Sequence, residues 1–383
     1  MNHNLFLIII ILIPSSLLIT LLFLFVFLLR TRNQSQHQTS YETGRFNGVD
    51  AEKQKQLHGY VQEELICFEG AKGLQIHDIL DAPGEVIGKS SYGTLYKACL
   101  IRDVVYNVDD EEDEENGRGG GGDGVVLLRF LRPACSVENV RDVVGEIGVV
   151  RHENVVPLVA VYVGGRGEKL LVHPFYGGGN LAEFIRDRKG VVWKWDLIYE
   201  ISIGIVKGLC HLHSGLSKQI IHGNLKSKNI LLDQNWHPYV SDYGLHLLMN
   251  PAAGQEMLET SAGQGYKAPE LIKMRDVNES TDVFSLGVIL LELVKGTEPI
   301  NGNPSVSQEF YLPDSIRSAV LERRFDNLYH PDLLMGQSSH QRMIIKDRIL
   351  KLVQLAITCC SPSPHLRPSS KEILQKLVEI GTT

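Results

Sequence analysis

The sequence has no surplus of basic residues: 38 Lys and Arg face 45 Asp and Glu, for a formal net charge of −7. No basic field is present to draw a polyanion, and a nucleic-acid partner is excluded on that ground. Metal-ligand spacing is missing as well. None of the six cysteines stands in a C-x-x-C pair or beside clustered histidines, which argues against a zinc site and a disulfide framework and for a reducing compartment. Cys359 and Cys360 lie on an apolar stretch and read as core packing. No internal repeat is present.

Charge is absent altogether from Leu5 to Leu29, an apolar stretch of 25 residues interrupted only by Pro14, Ser15, Ser16 and Thr20. At a rise of about 1.5 Å per residue it can cross a hydrocarbon layer of roughly 30 Å. A cleaved signal peptide needs a basic leader and a shorter apolar run, and Met1 to Asn4 carries no Lys or Arg. A transmembrane helix over residues 5–29 is therefore the expectation. Arg30 and Arg32 follow it directly, which places the rest of the chain in the cytoplasm, with no ectodomain on the other side. Residues 30–83 are polar and only weakly basic, and read as a juxtamembrane linker.

What remains is an ordinary globular composition, 43% hydrophobic and 22% charged over 383 residues, enough for one large domain or two modest ones. Its acidity has one source. Asp109 to Glu115 is an unbroken run of seven acids, and the remaining 38 acids balance the 38 bases. Together with six glycines between 117 and 124, that run predicts a solvated, disordered insertion over residues 107–124, too floppy to form a cation site.

Short apolar segments at Glu85 to Ile87, Thr94 to Leu100 and Val125 to Leu131 read as strands. Leu197, Ile201, Ile205, Leu209 and Leu212 recur at helical spacing, as do Leu286, Ile289, Leu290 and Leu293. A further helix is expected near Ile345 to Cys360, and a last one opens on the capping pattern Ser369-Ser370-Lys371-Glu372. Strands first and helices after predict an α+β protein with two unequal lobes.

Two segments carry chemistry. Gly88-Lys89-Ser90-Ser91-Tyr92-Gly93 joins two strands, and its glycines would let backbone N–H groups approach a phosphate, although a hairpin turn explains them equally well. Downstream, His222-Gly223-Asn224-Leu225-Lys226-Ser227-Lys228-Asn229 leads into Ile230-Leu231-Leu232, and a return strand ends at Asp242-Tyr243-Gly244. A hairpin over 230–241 sets Asn229 and Asp242 side by side, two oxygen ligands suited to Mg2+.

HGNLKSKNILL, SDYG, GYKAPE, STDVFSLGVILLELVKG and CCSPSPHLRPS together resemble the successive signature segments of the eukaryotic protein-kinase domain, in its plant receptor-like form with leucine-rich-repeat relatives. The resemblance covers residues 84–380 and implies a bilobal fold, with a strand-rich lobe to about 175 and a helical lobe from 179. It also implies ATP and Mg2+ as cofactors. In the family a strand lysine holds the α- and β-phosphates and a helix glutamate holds that lysine. Here Arg129 stands at the lysine position and Val143 at the glutamate position, with Asp142 or Glu146 able to compensate if the helix register differs. Arginine's planar fork is no substitute for a compact ammonium. Leu127 replaces a small alanine facing the adenine, Ser90 the second glycine of the loop Gly88 to Gly93, and Asn224 the aspartate that accepts the substrate's proton. An amide cannot take that proton, a loss of about 10²- to 10⁴-fold. Gly223 replaces an arginine that pairs with a phosphorylated activation segment. Lys226, Asn229, Asp242 and Gly244 match the family, as do the structural residues Glu270, Asp282 and Arg367.

Five departures on one site, Ser90, Leu127, Arg129, Val143 and Asn224, predict weak or no ATP binding. They point to a receptor-like pseudokinase anchored in the plasma membrane, acting as a scaffold or allosteric partner of active receptor-like kinases. The alternative is a weakly active Ser/Thr kinase that relies on Lys226, Asn229 and Asp242. A third reading is an adaptor phosphorylated at Thr260, Ser261 or Tyr266.

Overall fold

The computed structural model describes residues 63–71, 73–90, 92–100, 124–131, 140–187, 191–301 and 310–382. The expected transmembrane stretch 5–29 lies outside them, as does the acidic insertion except for Gly124. Among the described residues no helix is long and apolar enough to cross a membrane.

Six strands build the small lobe: β1 (Glu64–Cys67), β2 (Gly84–Ser90), β3 (Gly93–Cys99), β4 (Val125–Leu131), β5 (Ala160–Val163) and β6 (Lys169–Pro174). They form one antiparallel sheet in the order β1-β5-β6-β4-β3-β2. The period of two along β4 sorts its side chains. Val126 and Leu128 face a cluster completed by Ala71, Leu74 and Ile79, whereas Leu127, Arg129 and Leu131 share the opposite face.

The linker expectation for residues 30–83 needs correction at its C-terminal end. Glu64–Cys67 pairs with β5, and the short helix α1 (Ile76–Leu80), opened by a reciprocal Gln75–Asp78 capping box, buries Ile79. A sheet with only one covered face leaves apolar side chains in water, and this segment supplies the second cover. Helix α2 (Val140–Gly148) lies on the other face, with Val144 and Ile147 buried. Phe68, just past β1, presses on it so closely that a Cβ at Gly148 would lie 1.9 Å from the ring.

The large lobe carries the two-residue β7 (Gly179–Asn180), α3 (Leu181–Asp187), α4 (Trp195–Cys210), the hairpin β8 (Ile230–Leu232) and β9 (Pro238–Val240), then α5 (Pro251–Gly263), α6 (Glu279–Lys295), α7 (Leu312–Leu321), α8 (Ser339–Cys359) and α9 (Ser370–Thr382). Helix α6 is the central member. Leu286, Val288, Ile289, Leu290, Leu293 and Val294 are wholly buried, which explains an apolar run too short to span a membrane. Gly287 is required there, because a Cβ would meet Cys359 and Cys360 at 2.7 Å. These cysteines are packed between α6 and α8, and burial pushes the Cys360 thiol up to about 12.

Candidate functional site

The hairpin forms in the expected register, Ile230 opposite Val240 and Leu232 opposite Pro238. At its open end Ser241 donates both its N–H and its hydroxyl to the Asn229 carbonyl, each at 2.9 Å. Asp242 follows with φ 63°, a left-handed conformation that aspartate tolerates better than most residues. Asn229 and Asp242 are therefore adjacent, as the sequence implies.

The cation that meets Asp242 belongs to the chain. Arg129 Nη2 donates to Asp242 Oδ2 at 2.6 Å, with both side chains more than nine-tenths buried. Residues 113 positions apart thus join β4 of the small lobe to the hairpin end of the large lobe. In so dry a place a charge-assisted bond is strong, and each ion depends on the other to offset its lost hydration. Neither Asp142 nor Glu146 reaches Arg129: Asp142 is exposed, and Glu146 accepts from Lys218 Nζ at 2.5 Å. Val143 packs against the main core and lines a cavity that Arg129 does not.

Other polar groups of the site are also held from within. Lys226 Nζ donates to Gln264 Oε1 at 3.2 Å, and burial lowers the Lys226 ammonium to about 8. Asn229 Nδ2 donates to the Asn224 carbonyl at 2.8 Å. Asn224 is buried, and neither polar atom of its side chain has a hydrogen-bond partner.

Two residues absent from the sequence-based site complete it. Tyr92, from the tip of the β2–β3 loop, is 5% exposed and joins the main core. Burial raises its phenol, which also feels Asp242, Arg129, Ser90 and Asn224. The loop itself is a hairpin closed by the Ser90–Gly93 pair, with the Ser90 hydroxyl donating to the Gly93 carbonyl at 3.2 Å. Gly93 is needed because a Cβ would stand 2.4 Å from the Phe130 carbonyl, whereas Gly88 has ordinary clearance. His173 lies opposite Leu127 in the β4–β6 register. Its Nδ1 faces the Pro157 carbonyl at 3.0 Å, and burial holds its imidazole down at about 4. Leu127 is 6% exposed beside it.

These residues do not fit Mg-ATP. A divalent ion needs anionic oxygen free to coordinate it, and Arg129 already occupies Asp242 Oδ2. Leu127 and Tyr92 bring apolar bulk to the same face.

Asp282, Glu270 and Arg367 are each held by short polar contacts. Asp282 accepts from the N–H groups of His222 and Gly223 at 2.7 and 2.9 Å and pairs with His213 Nε2 at 3.0 Å. Burial opposes a charge on His213, but Asp282 and Glu279 together lift its imidazole to about 9. Arg367 grips Glu270 with two bonds of 2.6 and 2.8 Å. Gly223 has φ +75°, and a Cβ there would fall 2.6 Å from the His246 ring. Of the three hydroxyls considered for phosphorylation, Ser261 and Tyr266 are buried. Tyr266 donates its hydroxyl to the buried Glu292 at 2.9 Å. Only Thr260 is exposed, on α5 with its hydroxyl bonded to the Glu256 carbonyl.

The protein kinase domain family matches residues 134–378, so β1 to β4, which carry Ser90, Leu127 and Arg129, precede the matched span. Among curated proteins of Arabidopsis thaliana, the putative kinase-like protein TMKL1 is 32% identical over 82% of this chain and 44% of its own length. The probable leucine-rich repeat receptor-like protein kinase IMK3 is 35% identical over 83% of this chain and 37% of its own length. The probable inactive receptor kinase RLK902 is 31% identical over 86% and 47%. The chain thus spans less than half the length of each of these relatives. Among solved structures, the maize SIRK1 kinase domain bound to AMP-PNP aligns with TM-score 0.66 and 25% identity, covering 83% of this chain and all of that one. The pseudokinase domain of BIR2, an immune regulator of the RLK/Pelle family, aligns with TM-score 0.63 and 25% identity over 86% and 93%.

Proposed function

Because the chain belongs to the protein kinase domain family and its own arginine neutralises Asp242, we propose that it is a receptor-like pseudokinase that signals by binding rather than by phosphorylating. The Arg129–Asp242 bond at 2.6 Å carries this reading. It ties the small lobe to the large one without a nucleotide and sets a cation of the chain on Oδ2 of the carboxylate that a metal would use. The residues that favour an enzyme, Lys226, Asn229 and Asp242, are each bonded within the chain, and Asn224 offers no base. A domain held closed in this way presents constant surfaces, which suits a scaffold or an allosteric partner of active receptor-like kinases. The uncharged stretch 5–29 supports anchoring in the plasma membrane with the kinase-like domain on the cytoplasmic side.

The test is phosphate transfer by the full chain, to itself and to a general protein substrate, with Mg2+ and with Mn2+. No transfer above that of an Asp242→Ala variant is expected. Transfer that disappears on Asp242→Ala would overturn the proposal.

A further inference from the structure

A cavity of about 700 Å³ opens beside helix α2, and neither Arg129 nor Asp242 lines it. Its volume is in the range of ligand and peptide-anchor sites. Val143 and Ile147 of α2, with Ile220, Met249, Met274 and Val277, give it an apolar lining. Leu247, which also lines it, is 37% exposed, and Ile272, next in the chain to the lining residue Lys273, is 70% exposed. Patches of this kind, with a polar margin, mark surfaces that other molecules cover.

The margin is positive. Lys218, Lys273 and Arg275 line it against a single carboxylate, Glu146. Glu146 is taken up by Lys218, and the Arg275–Asp276 contact is a loose surface pair at 3.7 Å. The N-terminus of α5 also borders the cavity through Asn250, Pro251 and Gly254, and its dipole adds to the field. The chain as a whole carries −7, so this basic rim is a local feature.

We propose that the cavity is a docking site for an acidic peptide segment of a partner protein, whose apolar anchor side chain enters between α2 and α5 while flanking carboxylates meet Lys273 and Arg275. Apolar walls supply affinity and the charged rim supplies orientation and association rate. A peptide seated there touches both α2 and the segment after Asp242, so its binding would bias the two elements together. The proposal rests on the scaffold reading only in taking the partner to be a protein.

The test uses the full chain and a fluorescent probe peptide in which Leu-Tyr-Leu is flanked on each side by three Glu or Asp, read by fluorescence anisotropy. Binding is expected to weaken at least about tenfold with Lys273→Glu plus Arg275→Glu, a change confined to exposed side chains that leaves the fold intact. Val143→Trp, which fills the cavity, should weaken it too, and higher salt should do the same. Equal binding by the charge-reversed variant, equal binding of a probe carrying Lys for its acids, or no binding at about 100 μM would overturn the proposal. So would displacement by free glutamate, which would assign a small acid. Probe binding seen only after deletion of residues 107–124 would assign the chain's own acidic run, and a dimer broken by the charge reversal would assign a second copy. Phosphate transfer alongside specific peptide binding would remove the pseudokinase reading and leave the docking site standing.

Discussion

Removing the guanidinium of Arg129 leaves the Asp242 carboxylate buried without a counter-charge. Arg129→Leu is therefore expected to cost about 3–5 kcal/mol of unfolding free energy, as is Asp242→Leu. The pair Arg129→Leu with Asp242→Leu should recover much of that loss, since two apolar groups leave no orphaned ion. Urea denaturation of the four proteins measures the coupling, and additive losses would mean the bond contributes nothing. A pH dependence of stability attaches to His213. Its folded imidazole titrates near 9 against about 6.5 in an unfolded chain. The stability it contributes is thus complete below pH 6.5 and is lost as pH rises through 9. The difference in unfolding free energy between the wild type and His213→Gln should shrink over that interval; a constant difference would show that the imidazole is neutral beside Asp282.

At the scale of elements, the helices were the most legible part of the sequence. Apolar periodicity gave α4 and α6, and the capping pattern at Ser369 gave the start of α9, where Glu372 bonds back to the Ser369 N–H at 2.8 Å. The strand β1 and helix α1 escaped notice because each is only four or five residues long and takes its stability from the sheet they complete, a tertiary effect that leaves little local pattern. Their importance can be measured. Gly148→Ala drives a methyl into the Phe68 ring and should cost about 1–3 kcal/mol, with a lower Tm. Phe68→Ala should cost less in the Gly148→Ala background than in the wild type, because the three atoms nearest the added methyl all belong to that ring. Equal costs in the two backgrounds would show that Phe68 does not press on α2.

For the whole molecule, the family resemblance assigned positions in the site to Arg129, Leu127, Val143 and Asn224 but did not show what those residues join. The bond between Arg129 and Asp242 could not be read from it, because a separation of 113 residues has no local signature and depends on how the lobes close. Tyr92 was visible within the loop Gly88 to Gly93, yet nothing in the sequence distinguishes a ring folded into the core from one standing over a nucleotide. His173 would have followed from strand register opposite Leu127, which sequence alone leaves open. The account's central claim is that this closed arrangement replaces Mg-ATP, and the most direct test is calorimetric titration of Mg-ATP into the full chain. No measurable binding is expected for the wild type, with detectable binding once Leu127→Ala and Arg129→Lys together reopen the base pocket and restore a compact ammonium. Binding by the wild type with a micromolar Kd would contradict the account.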